Sequence, residues 1–116
     1  MYKRQGLSSD PQVVEAYLQD PLVSRSKLSA SFISAMFVAV SETVENAADI
    51  NKPLLIMHGG NDIITDPAGS QLLYERASSA DKTHKVYPGF YHEIFNEPDA
   101  PQVFDDVLQW LDARCQ

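Results

Sequence analysis

Two side chains in this sequence have the type and the setting to move a proton. Asp62 lies in "HGGNDIITDP", residues 58–67, and His92 lies in "YPGFYHEIFNEP", residues 87–98. Imidazole takes up and returns a proton near neutral pH, and a carboxylate against it fixes its tautomer and stabilises the imidazolium. A second aspartate, Asp66, competes for attention. It precedes Pro67 and a helical pattern, where a carboxylate accepts first-turn amides and proline suits the first helical position, so a helix cap accounts for it. Asp62 has no such account. It follows an apolar run and the pair Gly59–Gly60, and in open α/β sheets ligands bind beyond the carboxyl ends of strands. Asn61–Asp62 is also good turn chemistry, and locally the two readings of Asp62 weigh equally. His92 breaks the tie, because it also stands just past the end of a strand-like run.

The elements that must carry this pair are legible in outline. Leu54–Met57 is a short apolar run between Pro53 and a glycine pair, the pattern of a strand buried on both faces of a parallel sheet. Leu72, Leu73, Arg76, Ala77 and Ala80 fit one helix over about 67–79. "THKVYPG" is a second strand, "FYHEIFNEPDAP" a loop, and "PQVFDDVLQWLDARC" a closing helix with Val103, Phe104, Val107, Leu108 and Leu111 on one face. Strand, helix, strand, helix is a βαβα unit with a parallel pair, so the fold class is α/β. Upstream, Asp10–Pro11 starts a short helix over Pro11–Leu18. Residues 27–47 form a long amphipathic helix with Phe32, Ile33, Met36, Phe37, Val40 and Val44 at helical spacing. Packing into a core is the plain reading of that stripe; the alternative is that one end lines a pocket for an apolar ligand.

The remaining residues exclude more than they add. With nine Lys and Arg scattered against sixteen Asp and Glu, the net charge is −7, which makes nucleic acid a poor partner. His58 is read as packing or hydrogen-bonding locally, and His84, within the second strand, has no evident partner. "HEIFNE" lacks the second histidine of an H-E-x-x-H zinc helix, and no metal or other cofactor is expected. The one cysteine, Cys115, allows no internal disulfide and suits a reducing compartment such as the cytoplasm. No apolar run approaches the roughly 20 residues of a membrane span. "MYKRQ", residues 1–5, resembles a peptide encoded by a transposon end used in preparing sequencing libraries. It is read as a non-native leader, with the native N-terminus missing and localisation left open.

"PLLIMHGGNDIITDPAGSQLLYERASSADKTHKVYPGFYHEIFNEP" and the closing "VLQWLDAR" resemble the C-terminal part of an α/β-hydrolase. They are most similar to the monoacylglycerol lipase and lysophospholipase group of serine hydrolases, and "YLQDPLVSRSKLS" extends the likeness more loosely upstream. The resemblance implies that Asp62 is the catalytic acid and His92 the catalytic histidine, in the order nucleophile, acid, histidine. It implies that residues 6–49 are the end of a cap with its connecting helices, and residues 50–116 the last two strands and helices of the core. It implies a carboxylic ester substrate, such as a monoacylglycerol or lysophospholipid, with Phe32, Ile33 and Met36 helping to line a pocket for the acyl chain.

One departure is large. The family's serine sits on a G-x-S-x-G turn, but the five glycines here, at 6, 59, 60, 69 and 89, include no two four apart. Without a nucleophile or an oxyanion loop, this chain is not expected to turn over esters alone. A sheet of so few strands also leaves an open edge, which invites self-association. Two other readings stand beside the serine esterase: a non-catalytic α/β binding or interaction module, and a hydrolase of the epoxide hydrolase or dehalogenase type.

Overall fold

Each helix starts on a proline, a polar cap or both. The structure, a computed structural model, describes residues 6–24 and 26–115, so the leader read into residues 1–5 lies outside it. Helix α1, Pro11–Gln19, begins at Asp10, whose side chain accepts the Gln12 amide at 2.8 Å. Helix α2 is Ala30–Glu45, shorter at both ends than the spacing suggests. The Ser29 hydroxyl takes the Phe32 amide at 3.1 Å and fixes the start, and Asn46 closes the end. Helix α3, Pro67–Arg76, is capped by Asp66, which accepts the Ala68 amide at 2.9 Å. It stops three residues early because Ala77 turns to an extended backbone leading into the next strand. Helix α4 is Pro101–Asp112.

Strands β1, Leu54–Gly59, and β2, Lys82–Tyr87, pair in parallel, with Leu54 opposite Lys82 and Gly59 opposite Tyr87. Helix α3 carries the chain from one to the other, so the βαβα order read from residue 53 onward is present. Strand β1 runs two residues further than its apolar core, through His58 to Gly59, which brings its carboxyl end close to Asp62.

Burial departs from the pattern. The apolar run of β1 predicts a strand covered on both faces, but only Ile56 and Gly59 in it are fully buried, and in β2 only Tyr87 is. The described residues form a two-stranded sheet, with too little helix against it to cover both sides. The core cluster sits instead at the carboxyl end of β2: Tyr87, Phe90, Ile94 and Val103, with Met57 packed against it. The Tyr87 and Phe90 rings stack at 5.4 Å, and the Tyr87 hydroxyl donates to Asp106 at 2.6 Å. Burial and that anionic partner push the Tyr87 hydroxyl well above the ordinary phenol range. The loop that bears His92 is therefore anchored by apolar side chains on both sides of the histidine.

Helix α2 corrects a second expectation. Its apolar stripe does not pack into a core: no α2 residue is fully buried, and Phe32, Ile33, Met36, Phe37 and Val40 are all exposed.

Candidate active site

Two glycines make the approach of Asp62 and His92 feasible. At Gly59 an added Cβ would lie 1.9 Å from the Tyr91 carbonyl oxygen and 2.6 Å from that of Phe90. Any side chain there would push the two post-strand loops apart. Gly89 has φ of +83°, a left-handed conformation that glycine adopts without the Cβ clash, and it turns the chain back over the sheet end after Pro88. Backbone bonds then join the loops. The Gly60 amide donates to the Tyr87 carbonyl and the Asn61 amide to the Phe90 carbonyl, both at 2.8 Å.

The aspartate so placed is buried and fully engaged. Asp62 Oδ1 accepts the Ile64 amide at 2.8 Å and the Thr65 amide at 3.0 Å. Its Oδ2 accepts the Thr65 hydroxyl at 2.7 Å and lies 2.8 Å from His92 Nδ1 and 3.2 Å from His58 Nε2. Burial alone would raise the Asp62 pKa, but the His92 and Thr65 side-chain bonds and the two backbone amides outweigh it. The carboxyl is held well below the ordinary carboxylate range and is ionised at neutral pH. An ionised carboxylate only accepts hydrogen bonds, so His92 carries its proton on Nδ1 towards Asp62. That leaves Nε2 as the basic nitrogen, on a side chain 36% exposed where the Asp62 side chain is 2% exposed. His92 and Asp62 line an open cleft of about 380 Å³ with Met57, His58, Thr65 and Phe95. The arrangement can hold an imidazole in one tautomer and offer its other nitrogen to a proton donor in the cleft.

The structure thus brings together the two residues that the sequence singles out. Phe32, Ile33 and Met36 do not line this cleft. Met36 lines a separate apolar cavity of about 350 Å³ with Val40, Val44, Gly69 and Leu73, between α2 and α3. The partner of His58 proves to be Asp62 itself. Its Nε2 also lies 3.2 Å from the Thr65 carbonyl, and with acceptors on both sides that nitrogen must carry the proton. His84 is not without partners: its Nε2 lies 3.0 Å from the Ser70 hydroxyl and its Nδ1 2.9 Å from Gln71 Oε1. Burial pushes the His84 pKa down, helped by the neighbouring His58. Among the described residues, no group of three or more His, Cys, Asp or Glu side chains is placed to hold a metal ion. Sequence reasoning missed Thr65, the hydroxyl that shares Asp62 with His92. Its signal was faint: a threonine three residues after a turn aspartate, within reach of a local side-chain bond.

The chain is similar to known proteins along most of its length. A family model described as serine aminopeptidase, S33, matches residues 1–99. The monoacylglycerol lipase of Mycolicibacterium smegmatis is 45% identical over 105 residues, which cover 90% of this chain and 38% of that protein. The human monoglyceride lipase is 34% identical over 110 residues, 93% of this chain and 36% of that protein. The crystal structure of Paleococcus ferrophilus monoacylglycerol lipase superposes with a TM-score of 0.87 at 34% identity, over 93% of this chain and 42% of that one. The chain therefore spans about two fifths of the length of these relatives. It belongs to the serine aminopeptidase S33 family of α/β-hydrolases.

Proposed function

We propose that this chain carries the acid and histidine of a serine hydrolase that cleaves carboxylic esters, with monoacylglycerols or related acyl esters as substrates. The observation that carries the proposal is the 2.8 Å contact between His92 Nδ1 and a buried, ionised Asp62. In that reading His92 Nε2 takes the proton of a serine hydroxyl as it attacks the ester carbonyl. It then protonates the departing alcohol, and afterwards activates water to release the acyl group. Asp62 keeps the imidazole in its tautomer and stabilises the imidazolium. The 116 residues contain no G-x-S-x-G turn, so the serine has no counterpart here. In the same reading the acyl chain runs along the exposed apolar face of α2 that carries Phe32, Ile33 and Met36; of the three, Met36 also lines the apolar cavity between α2 and α3.

The family description names a peptidase, whereas the relatives with the cited identities are named as lipases. Esters and amides need the same proton relay, and the ester reading follows the relatives. A hybrid enzyme tests it: residues 6–115 replace the matched 38% of the Mycolicibacterium smegmatis lipase, and hydrolysis of a monoacylglycerol and of an aminoacyl amide is followed. The monoacylglycerol is expected to be the better substrate. Asp62→Asn is expected to lower kcat about 10⁴-fold by releasing the wrong tautomer, and His92→Ala to lower it at least as far. A hybrid whose activity survives both substitutions would sink the assignment. The 116-residue chain alone should show no turnover above background, and saturable hydrolysis by it would mean that another nucleophile operates.

A further inference from the structure

Glu97 is a buried carboxylate, 4% exposed, with no salt-bridge partner among the described residues, and the proton relay does not use it. Burying a carboxylate is costly unless donors surround it. Here the donors come from two distant places. From the segment before α1, the Ser9 amide donates at 3.1 Å to both carboxylate oxygens, and the Ser9 hydroxyl donates to Oε2. From the loop after β2, the Tyr91 amide donates to Oε1 at 2.7 Å. Tyr91 is the residue before His92.

The same two segments meet again on either side of these bonds. The His92 amide donates to the Gly6 carbonyl at 3.2 Å and the Glu93 amide to the Leu7 carbonyl at 2.7 Å. The Ser8 hydroxyl donates to the Asn96 carbonyl at 2.9 Å. Three consecutive amides, 91 to 93, are thus all tied down. Two of them depend on residues 6 and 7 being where they are, and the third goes to the carboxylate that also grips Ser9.

We propose that Glu97 is a positioning residue for His92, acting by clamping the Tyr91–His92 backbone to the segment Gly6–Ser9. This rests on the reading of His92 as the base of the relay. The His92 ring reaches Asp62 through a side chain with two torsions, so the contact depends on where its backbone is held. Placement errors of about 1 Å cost about 10²-fold in rate in well-oriented sites.

The test uses nuclear magnetic resonance on the 116-residue chain, following the hydrogen-bonded Nδ1 proton of His92. His92→Ala, which removes the donor itself, identifies the signal and separates it from the His58 Nε2 proton that shares Asp62. Glu97→Ala is expected to abolish or broaden it at a temperature where melting curves show the chain still folded. Glu97→Gln, which keeps one acceptor oxygen, is expected to restore much of it. Ser9→Ala, a milder change that spares the carboxylate, is expected to weaken it in part and serves if Glu97→Ala does not fold. An unchanged signal in folded Glu97→Ala, or in Ser9→Ala where Glu97→Ala does not fold, would overturn the proposal. In the active hybrid enzyme, Glu97→Ala should lower kcat at least about tenfold with KM changed less than about twofold. A fall in thermal stability with kcat unchanged would reduce Glu97 to a structural staple. An inactive hybrid would count against the ester hydrolase reading, while the resonance experiment still decides the role of Glu97.

Discussion

At the scale of single residues, the site is an accounting of donors around one carboxylate. Asp62 takes two backbone amides, one hydroxyl and two imidazole nitrogens. That has a consequence for acid stability. A free aspartate titrates near pH 4 in the unfolded chain, and the folded carboxyl titrates lower. A depressed folded pKa contributes stability that is fully present above the unfolded value and is lost as pH falls below it. Urea midpoints measured at pH 7 and pH 3 should therefore drop further for the native chain than for Asp62→Asn. Parallel drops would mean that Asp62 is not held as described. Asp62 and His92 were legible in the sequence because each stands just past an apolar run, where strand ends deliver side chains to one rim. Thr65 and Glu97 were not. Thr65 matters through a hydroxyl bond that any loop threonine could make. Glu97 matters through an acceptor role for residue 9, 88 positions away, and no local pattern encodes such a partner.

At the scale of elements, caps and close approaches decide what the side chains can reach. The two aspartates of "NDIITDP" divide the work: Asp62 faces His92, and Asp66 accepts the Ala68 amide at the start of α3. Asp66→Ala should then cost about 1 kcal/mol of stability, the usual loss of a helix cap. It should leave the His92 Nδ1 resonance in place, whereas Asp62→Ala removes it. Equal effects of the two substitutions on that resonance would contradict the division. The helix and strand order was readable from periodicity, and the errors were at ends. Ser29 and Ala77 moved the boundaries of α2 and α3 by local hydrogen bonds and backbone turns that periodicity does not register. The function of Gly59 was also hidden. A glycine after a strand reads as a turn, and only the 1.9 Å approach of the Tyr91 carbonyl shows that it sets the spacing of two loops.

At the scale of the whole molecule, apolar surface is left over. Among the described residues the sheet has two strands, each paired on one side, and α2 presents Phe32, Ile33, Met36, Phe37 and Val40 to solvent. Unpaired strand edges and apolar patches of this kind favour association. Light scattering of the isolated chain over a rising concentration series should give an average mass at or above the dimer, with melting temperature rising in step. A monomer that melts cooperatively at every concentration would contradict it. Burial was the property least legible in the sequence. The apolar runs of β1 and α2 encode a demand for cover, and the letters do not say whether neighbours within the same chain supply it.

The parallel register has a last implication, for what this region tolerates as sequences diverge. Asp62 follows the end of β1 by three residues (62 − 59), and His92 follows the end of β2 by five (92 − 87). Those two offsets govern whether the side chains touch. The interval between them is mostly α3 and its exit, on the crossover side of the strand pair, and its length does not enter the contact. Changes of length after Arg76 and before Lys82 would leave this contact alone, though the buried Ala77 and Ser79 constrain them for other reasons. A single residue gained between Gly59 and Asp62 or between Tyr87 and His92 should be rare. A search for distant homologues would do better to hold those two short offsets fixed than to hold the thirty-residue gap.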